Sequence, residues 1–287
     1  MIKCFFVSDL HGRTARYISL FNLIRNQKPR IVFIGGDIYP NAYMSKKDSL
    51  VRGNDFFTDF FVTELKKLKS EPGNDYPDIF LILGNDDARD KEKNIIGADK
   101  EGWFHYINCK TIPFNGYTIT GYTFVPPTPF RLKDWEKYDI SRYIDPGCVS
   151  PEEGFRTVRV EENIIRFGTI KEDLDKLAEG IDFPKSVFLF HSPPHDTLLD
   201  RAALDGVKID HVPLNPHVGS IAVKRFIENY QPKLTLHGHI HESTRITGSW
   251  KDKIGNTICF NAANDGKELS VICFNLEEPE NAERILV

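Results

Sequence analysis

The stretch "DIFLILGNDD", residues 78–87, runs apolar from Ile79 to Leu83 and then stops on a glycine, an amide and two carboxylates. An apolar run that short, bounded by turn residues, reads as a buried strand ending in a turn. Asn85 and Asp86 are also groups that chemistry uses, because an amide oxygen can hold a metal and a carboxylate can act beside it. The same shape recurs along the chain. "IKCFFVS" (2–8) ends in Asp9-Leu10-His11-Gly12, "RIVFIGG" (30–36) in Asp37, "KSVFLFH" (185–191) in His191, and "KLTLHGH" (233–239) runs into Gly238-His239-Ile240-His241. In open α/β sheets the ligand crevice lies beyond the carboxyl ends of the strands, so these five groups are expected to converge.

Between the runs lie helix-like stretches at Tyr17–Asn26, 55–69 ("DFFTDFFVTELKKLK"), 171–180 and 218–230, with a polar loop ahead of residue 55. The tail segments "NTICFNAAND" (256–265) and "LSVICFNLE" (269–277) read as a pair of strands. Strand–helix alternation followed by added strands predicts an α/β fold with two sheets. Residues 123–168, opening with "TFVPPTPFRLKDWEKYDISRYIDPGC", have no period and form an irregular insert, of the kind that serves as a functional loop or cap. No repeat, linker or low-complexity tract divides the chain, so 1–287 is expected to be a single domain.

The bulk numbers narrow the partners. Across 287 residues, 40% hydrophobic and 27% charged content is that of an ordinary globular protein. A formal charge of −4 argues against a broad basic surface for long nucleic acid. No window reaches the run of about 18 apolar residues that a membrane helix needs. The N-terminus meets a charged residue and a histidine too early for a secretory leader. Five scattered cysteines without a C-x-x-C pair point to reduced thiols and a cytoplasmic setting. The oligomeric state has no signature in the sequence.

Each strand-end group has an ordinary reading by itself. Asp9 could cap a helix, Gly-Gly-Asp and Gly-Asn could be turns, and His191 before two prolines could be a loop histidine. Taken together, Asp9, His11, Asp37, Asn85, His191, His239 and His241 are a mixed nitrogen and oxygen donor set. That set is large enough for two divalent ions if one carboxylate bridges them. The ordered blocks D-L-H, G-G-D, G-N-D, H and G-H-I-H, spanning residues 9–241, resemble the signature of the calcineurin-like metallophosphoesterases. The resemblance implies an αββα sandwich of two mixed β-sheets flanked by helices, with a bimetal site at one end. By position, it gives Asp9, His11 and His241 to one metal, Asn85, His191 and His239 to the other, and Asp37 to both. It also implies hydrolysis of a small phosphate ester by a metal-activated hydroxide. Mn, Fe or Zn suit such donors, with Mn favoured here.

One position departs from the family pattern. Many members carry a histidine after the Asn, where it assists the leaving group, and this chain has Asp86. A carboxylate beside two dications has no proton to give and repels a dianion more than a monoanion, which predicts a preference for phosphodiesters. Alternatively, Asp86 turns away to pair with Arg89. His217 and His195 are the candidates to supply the missing proton, His217 first by analogy with an H-V-G-S run in related phosphoesterases. His211, His237 and His105 are weaker. Arg131 and Trp135 in the insert, with Phe124 and Phe130, are candidates to clamp a flat substrate group, or else are core residues of the insert. Competing readings are a scaffold of the same fold without metals, a phosphomonoesterase, and a nuclease.

Overall fold

The computed structural model describes residues 1–40, 55–71, 73 and 75–287; most of the polar stretch ahead of residue 55 lies outside them. Its strands are β1 (Lys3–Val7), β2 (Ile31–Gly35), β3 (Asp78–Ile82), β4 (His105–Tyr106), β5 (Lys110–Phe114), β6 (Tyr117–Tyr122), β7 (Ser186–Phe190), β8 (Lys208–Ile209), β9 (Val212–Pro213), β10 (Leu234–His237), β11 (Lys251–Ile254), β12 (Thr257–Asn261), β13 (Ser270–Asn275) and β14 (Glu278–Leu286). Among the described residues they form two six-stranded sheets, ordered β14-β13-β1-β2-β3-β4 and β11-β12-β10-β7-β6-β5, and a small β8–β9 hairpin. β1–β2–β3–β4 in the first sheet and β12–β10–β7–β6 in the second run parallel, and antiparallel pairing adds β13 and β14 to the first sheet and β11 and β5 to the edges of the second. The expected αββα sandwich of mixed sheets is the observed fold.

The packing follows from period-two alternation along each strand. In β1, Cys4 and Phe6 face the second sheet, in one buried cluster with Phe33, Phe80, Leu189, Leu236 and Phe260. Phe5 and Val7 face the other way, toward Tyr17, Leu20 and Phe21 of the helix Thr14–Gln27. On the outside of the second sheet, Phe188 and Phe190 meet Phe226 of the helix Ile221–Tyr230, with ring centroids 4.8 and 5.9 Å apart. Strands buried on both faces are apolar throughout, which is why the five runs were conspicuous. No described helix is long and apolar enough to cross a membrane.

Three expectations need correction. The helix expected over 55–69 begins as a π-helix, Phe57–Val62, and becomes α-helical at Thr63–Ser70. The two tail strands do not pair: β12 belongs to the second sheet and β13 to the first. Between them the chain crosses from sheet to sheet, and the Arg16 guanidinium holds the crossing by donating to the Asn264 and Gly266 carbonyls. The insert is irregular as expected up to the short helix Glu162–Phe167, but Trp135 within it is fully buried. Its ring packs against Phe124 and its indole N–H donates to the Asp87 carbonyl at 2.7 Å, so it is a core residue and cannot clamp a substrate. Arg131 is exposed and is not among the residues that line the cavity above the donor cluster.

Candidate metal centre

The donor groups sit where β1, β2, β3, β7 and β10 end, and their loops are laced together. Asp9 N–H donates to Gly36 O, His11 N–H to Asp37 O and Gly12 N–H to Ile38 O. Four of the donor residues have positive φ: Asp9 at 57°, His11 at 49°, Asp37 at 51° and His239 at 71°. Left-handed backbone at such residues costs of order 1 kcal/mol each and persists only where surrounding contacts fix it. Glycines make the close approach possible. A Cβ at Gly84 would lie 2.3 Å from Asp37 Oδ1, and one at Gly238 would lie 2.4 Å from Asp9 Oδ2.

The side chains meet in two linked groups. Asp9, His11, Asp37 and His241 offer donor atoms all within 4.8 Å of one another. His11 Nε2 lies 3.1 Å from His241 Nε2, which in turn lies 3.0 Å from Asp9 Oδ1. Beside them, His191 Nε2 lies 3.1 Å from Asn85 Oδ1 and 3.3 Å from Asp37 Oδ2, while its Nδ1 donates to Gly35 O. Asp37 therefore stands between the two groups. His239 donates its backbone N–H to the Asp9 carboxylate and packs its ring 5.3 Å from that of His191.

The electrostatics show what this cluster needs. Burial works against charge on Asp9, yet the His241 hydrogen bond and the surrounding imidazoles hold its carboxyl well below the usual range. Burial also opposes charge on His191, but Asp37 and Asp9 outweigh it and raise the imidazole to about 10. His241 is raised against its burial by the bond to Asp9. His239, buried and beside His191, is pushed down to about 3. Two buried carboxylates thus draw positive charge onto the nearest imidazoles, and a divalent cation satisfies the same demand with oxygen and nitrogen donors already gathered. The residues present fit a metal.

Asp86, His195 and His217 line one cavity with this floor. It has a volume of about 860 Å³ and is bordered by Asp37, Asn85, Asp86, His239 and His241 below and by His195 and His217 at the side. Asp86 Oδ2 lies 3.7 Å from His11 Nδ1, and Arg89 pairs with Glu92 and lies over Trp135. His217 Nδ1 lies 2.8 Å from the buried carboxylate of Asp200, and His195 Nε2 lies 3.3 Å from the Asn215 amide. His237 is buried against Phe190 and bonded to Thr235 and Ser192, and His105 stacks on Phe80 at the sheet edge.

Asp200 was missed by the sequence reading, and so was the role of Asp87. Asp87 is fully buried, and its carboxylate accepts from the N–H groups of Ile38, Tyr39 and Gly84 at 3.1, 2.8 and 2.9 Å. It ties the Asp37 loop to the Asn85 loop. The doubled Asp of "GNDD" was the available signal. An Asp87→Ala variant leaves three buried donors unpaired, and at about 1–3 kcal/mol for each unsatisfied group the cost is expected to exceed 3 kcal/mol. Denaturant melts check this, and a loss under about 1 kcal/mol would show that water replaces the carboxylate.

The calcineurin-like phosphoesterase family model matches residues 2–243. Solved structures of similar fold include TT1561 of Thermus thermophilus, at 16% identity and TM-score 0.59, covering 99% of this chain and 98% of that one. A dimetal phosphatase from Danio rerio is similar at 11% identity and TM-score 0.55, covering 100% and 98%. The phosphopantetheinyl hydrolase PptH of Mycobacterium tuberculosis is similar at 13% identity and TM-score 0.51, covering 91% and 88%. No curated relative matches the chain. With the family model spanning most of its length and its strand-end residues gathered at one floor, this chain belongs to the calcineurin-like metallophosphoesterases.

Proposed function

We propose that this protein is a binuclear metal-dependent phosphoesterase that prefers phosphodiesters. The observation that carries the reading is the gathering of Asp9, His11, Asp37 and His241 within 4.8 Å, with His191 and Asn85 joined to them through Asp37. Asp9, His11 and His241 would hold one ion, Asn85, His191 and His239 the other, and Asp37 both. When bound, the ions supply an acidified water and positive charge for the phosphate oxygens. The protein's own part is to fix those donors on strained, interlocked loops and to manage charge and protons around the ester.

Asp86 adds a carboxylate to the cavity floor, 29% exposed at its side chain, where it faces whatever binds there. Like charge disfavours a dianionic monoester more than a monoanionic diester. The Asp200 carboxylate holds His217 at Nδ1, and Nε2, which lies 3.6 Å from Asp196 Oδ1, is the atom that would give a proton to the departing oxygen. His195, with its ring centroid 6.1 Å from that of His217, is the reserve donor.

Metal-stripped protein resupplied with Mn²⁺ is expected to cleave bis-p-nitrophenyl phosphate at least about tenfold faster than p-nitrophenyl phosphate, a difference of about 1.4 kcal/mol. Faster cleavage of the monoester would keep the metals and remove the role given to Asp86. No turnover together with no bound metal would favour a scaffold.

A further inference from the structure

We propose that the substrate is amphiphilic, a phosphodiester whose second arm is a large apolar group seated in the cavity above the metal floor. This rests on the phosphodiesterase reading and narrows it. The volume of about 860 Å³ lies within the range of pockets that enclose a whole organic ligand, far more than a phosphate alone fills. Its walls come from two segments. The insert contributes Pro126, Pro129, Phe130 and Tyr143, and the loop after β7 contributes Leu204 and, on its β8–β9 hairpin, Ile209.

Three of these side chains keep large apolar surfaces in water: Phe130 is 49% exposed, Tyr143 69% and Ile209 39%. Single exposed apolar residues mean nothing, but several facing one cavity continuous with a reactive floor mark a binding surface. The two walls also touch. A Cβ at Gly147 of the insert would lie 2.6 Å from Ile209 Cδ1, so the hairpin is seated directly on the insert. Three acids border the cavity above the floor, Asp139, Asp145 and Glu242. Asp139 accepts from Ser220 Oγ and Ile221 N–H at the start of a helix, and Glu242 accepts from Ala203 N–H, so these two are engaged within the protein. Asp145 is exposed, and the apolar arm is assigned to the Pro126, Phe130 and Ile209 surfaces rather than to it.

The test is calorimetric binding of monoalkyl methylphosphonates with methyl, butyl and octyl arms to the Mn²⁺-loaded protein. These carry one negative charge like a diester. Full burial strengthens binding about fourfold per methylene, so the butyl compound, three methylenes longer, is expected to bind roughly 60-fold more tightly than the methyl. Ile209→Asp and, from the opposite wall, Phe130→Asp are each expected to flatten the series. Both positions are partly exposed, so the variants are expected to fold. Equal affinity across the arms, no binding of the octyl compound, or a gain that survives both substitutions would overturn the proposal. Hydrolysis of bis-p-nitrophenyl phosphate reads the metals and this series reads the walls, so the two readings fail separately.

Discussion

Asp37→Asn is expected to lower manganese-dependent diester hydrolysis by about a thousandfold. One Asp37 oxygen accepts from Asp86 N–H at 2.8 Å, and the other lies 3.3 Å from His191 Nε2 and 3.9 Å from His11 Nε2. It is the side chain placed to serve both halves of the donor set. Asparagine keeps the shape and the bond to Asp86 but removes the charge that would hold two cations together. Metal ions stabilise transition-state charge by several kcal/mol, and a loss of about 4 kcal/mol is about a thousandfold in rate. The measurements are kcat and metal content per chain, with a thermal melt to show that the variant is folded. A variant that retains two ions and more than a tenth of the activity would show that Asp37 does not bridge.

The second large effect concerns the leaving group. His217→Ala is expected to reduce kcat about a hundredfold for a diester with an alkoxide leaving group, the lower range for loss of a positioned general acid. For p-nitrophenolate, which departs without a proton, little change is expected. The contrast is what separates proton donation from loop structure. Asp200 is the positioning residue: fully buried, it accepts from Asp196, Thr197 and Gly219 N–H groups as well as from His217. Asp200→Asn is expected to reproduce the leaving-group dependence in weaker form. An equal loss across all leaving groups in His217→Ala would assign the histidine to substrate positioning instead.

The floor of the site was legible because its chemistry forces a pattern onto the chain. A donor at the end of a buried strand needs a turn, the turn needs glycine where neighbouring loops interlock, and so four of the five blocks carry an apolar run, a glycine and a ligand, while the His191 block turns at Pro193 and Pro194. The edges were less legible. β14, "EPENAERIL", is mostly exposed and charged, and β5, "KTIPF", holds a proline, so neither shows the apolar run of an inner strand. The tail strands read as a hairpin because nearness in sequence is the only pairing signal a single chain gives. The actual connection depends on Arg16, far away in sequence. Trp135 stayed open between clamp and core for the same reason, because the carbonyl that fixes its indole in the core lies 48 residues earlier.

That indole bond joins two parts of the chain that would otherwise be free to change independently. The Asp87 backbone it grips belongs to the residue whose carboxylate clasps the loops of the candidate metal centre, so the insert and the donor floor share one fastening. Substitutions at Phe130 and Tyr143, exposed on the cavity, would leave that fastening untouched. A change in the insert's interior, at Phe124 or Trp135, would register as weakened metal affinity before it altered what the enzyme accepts.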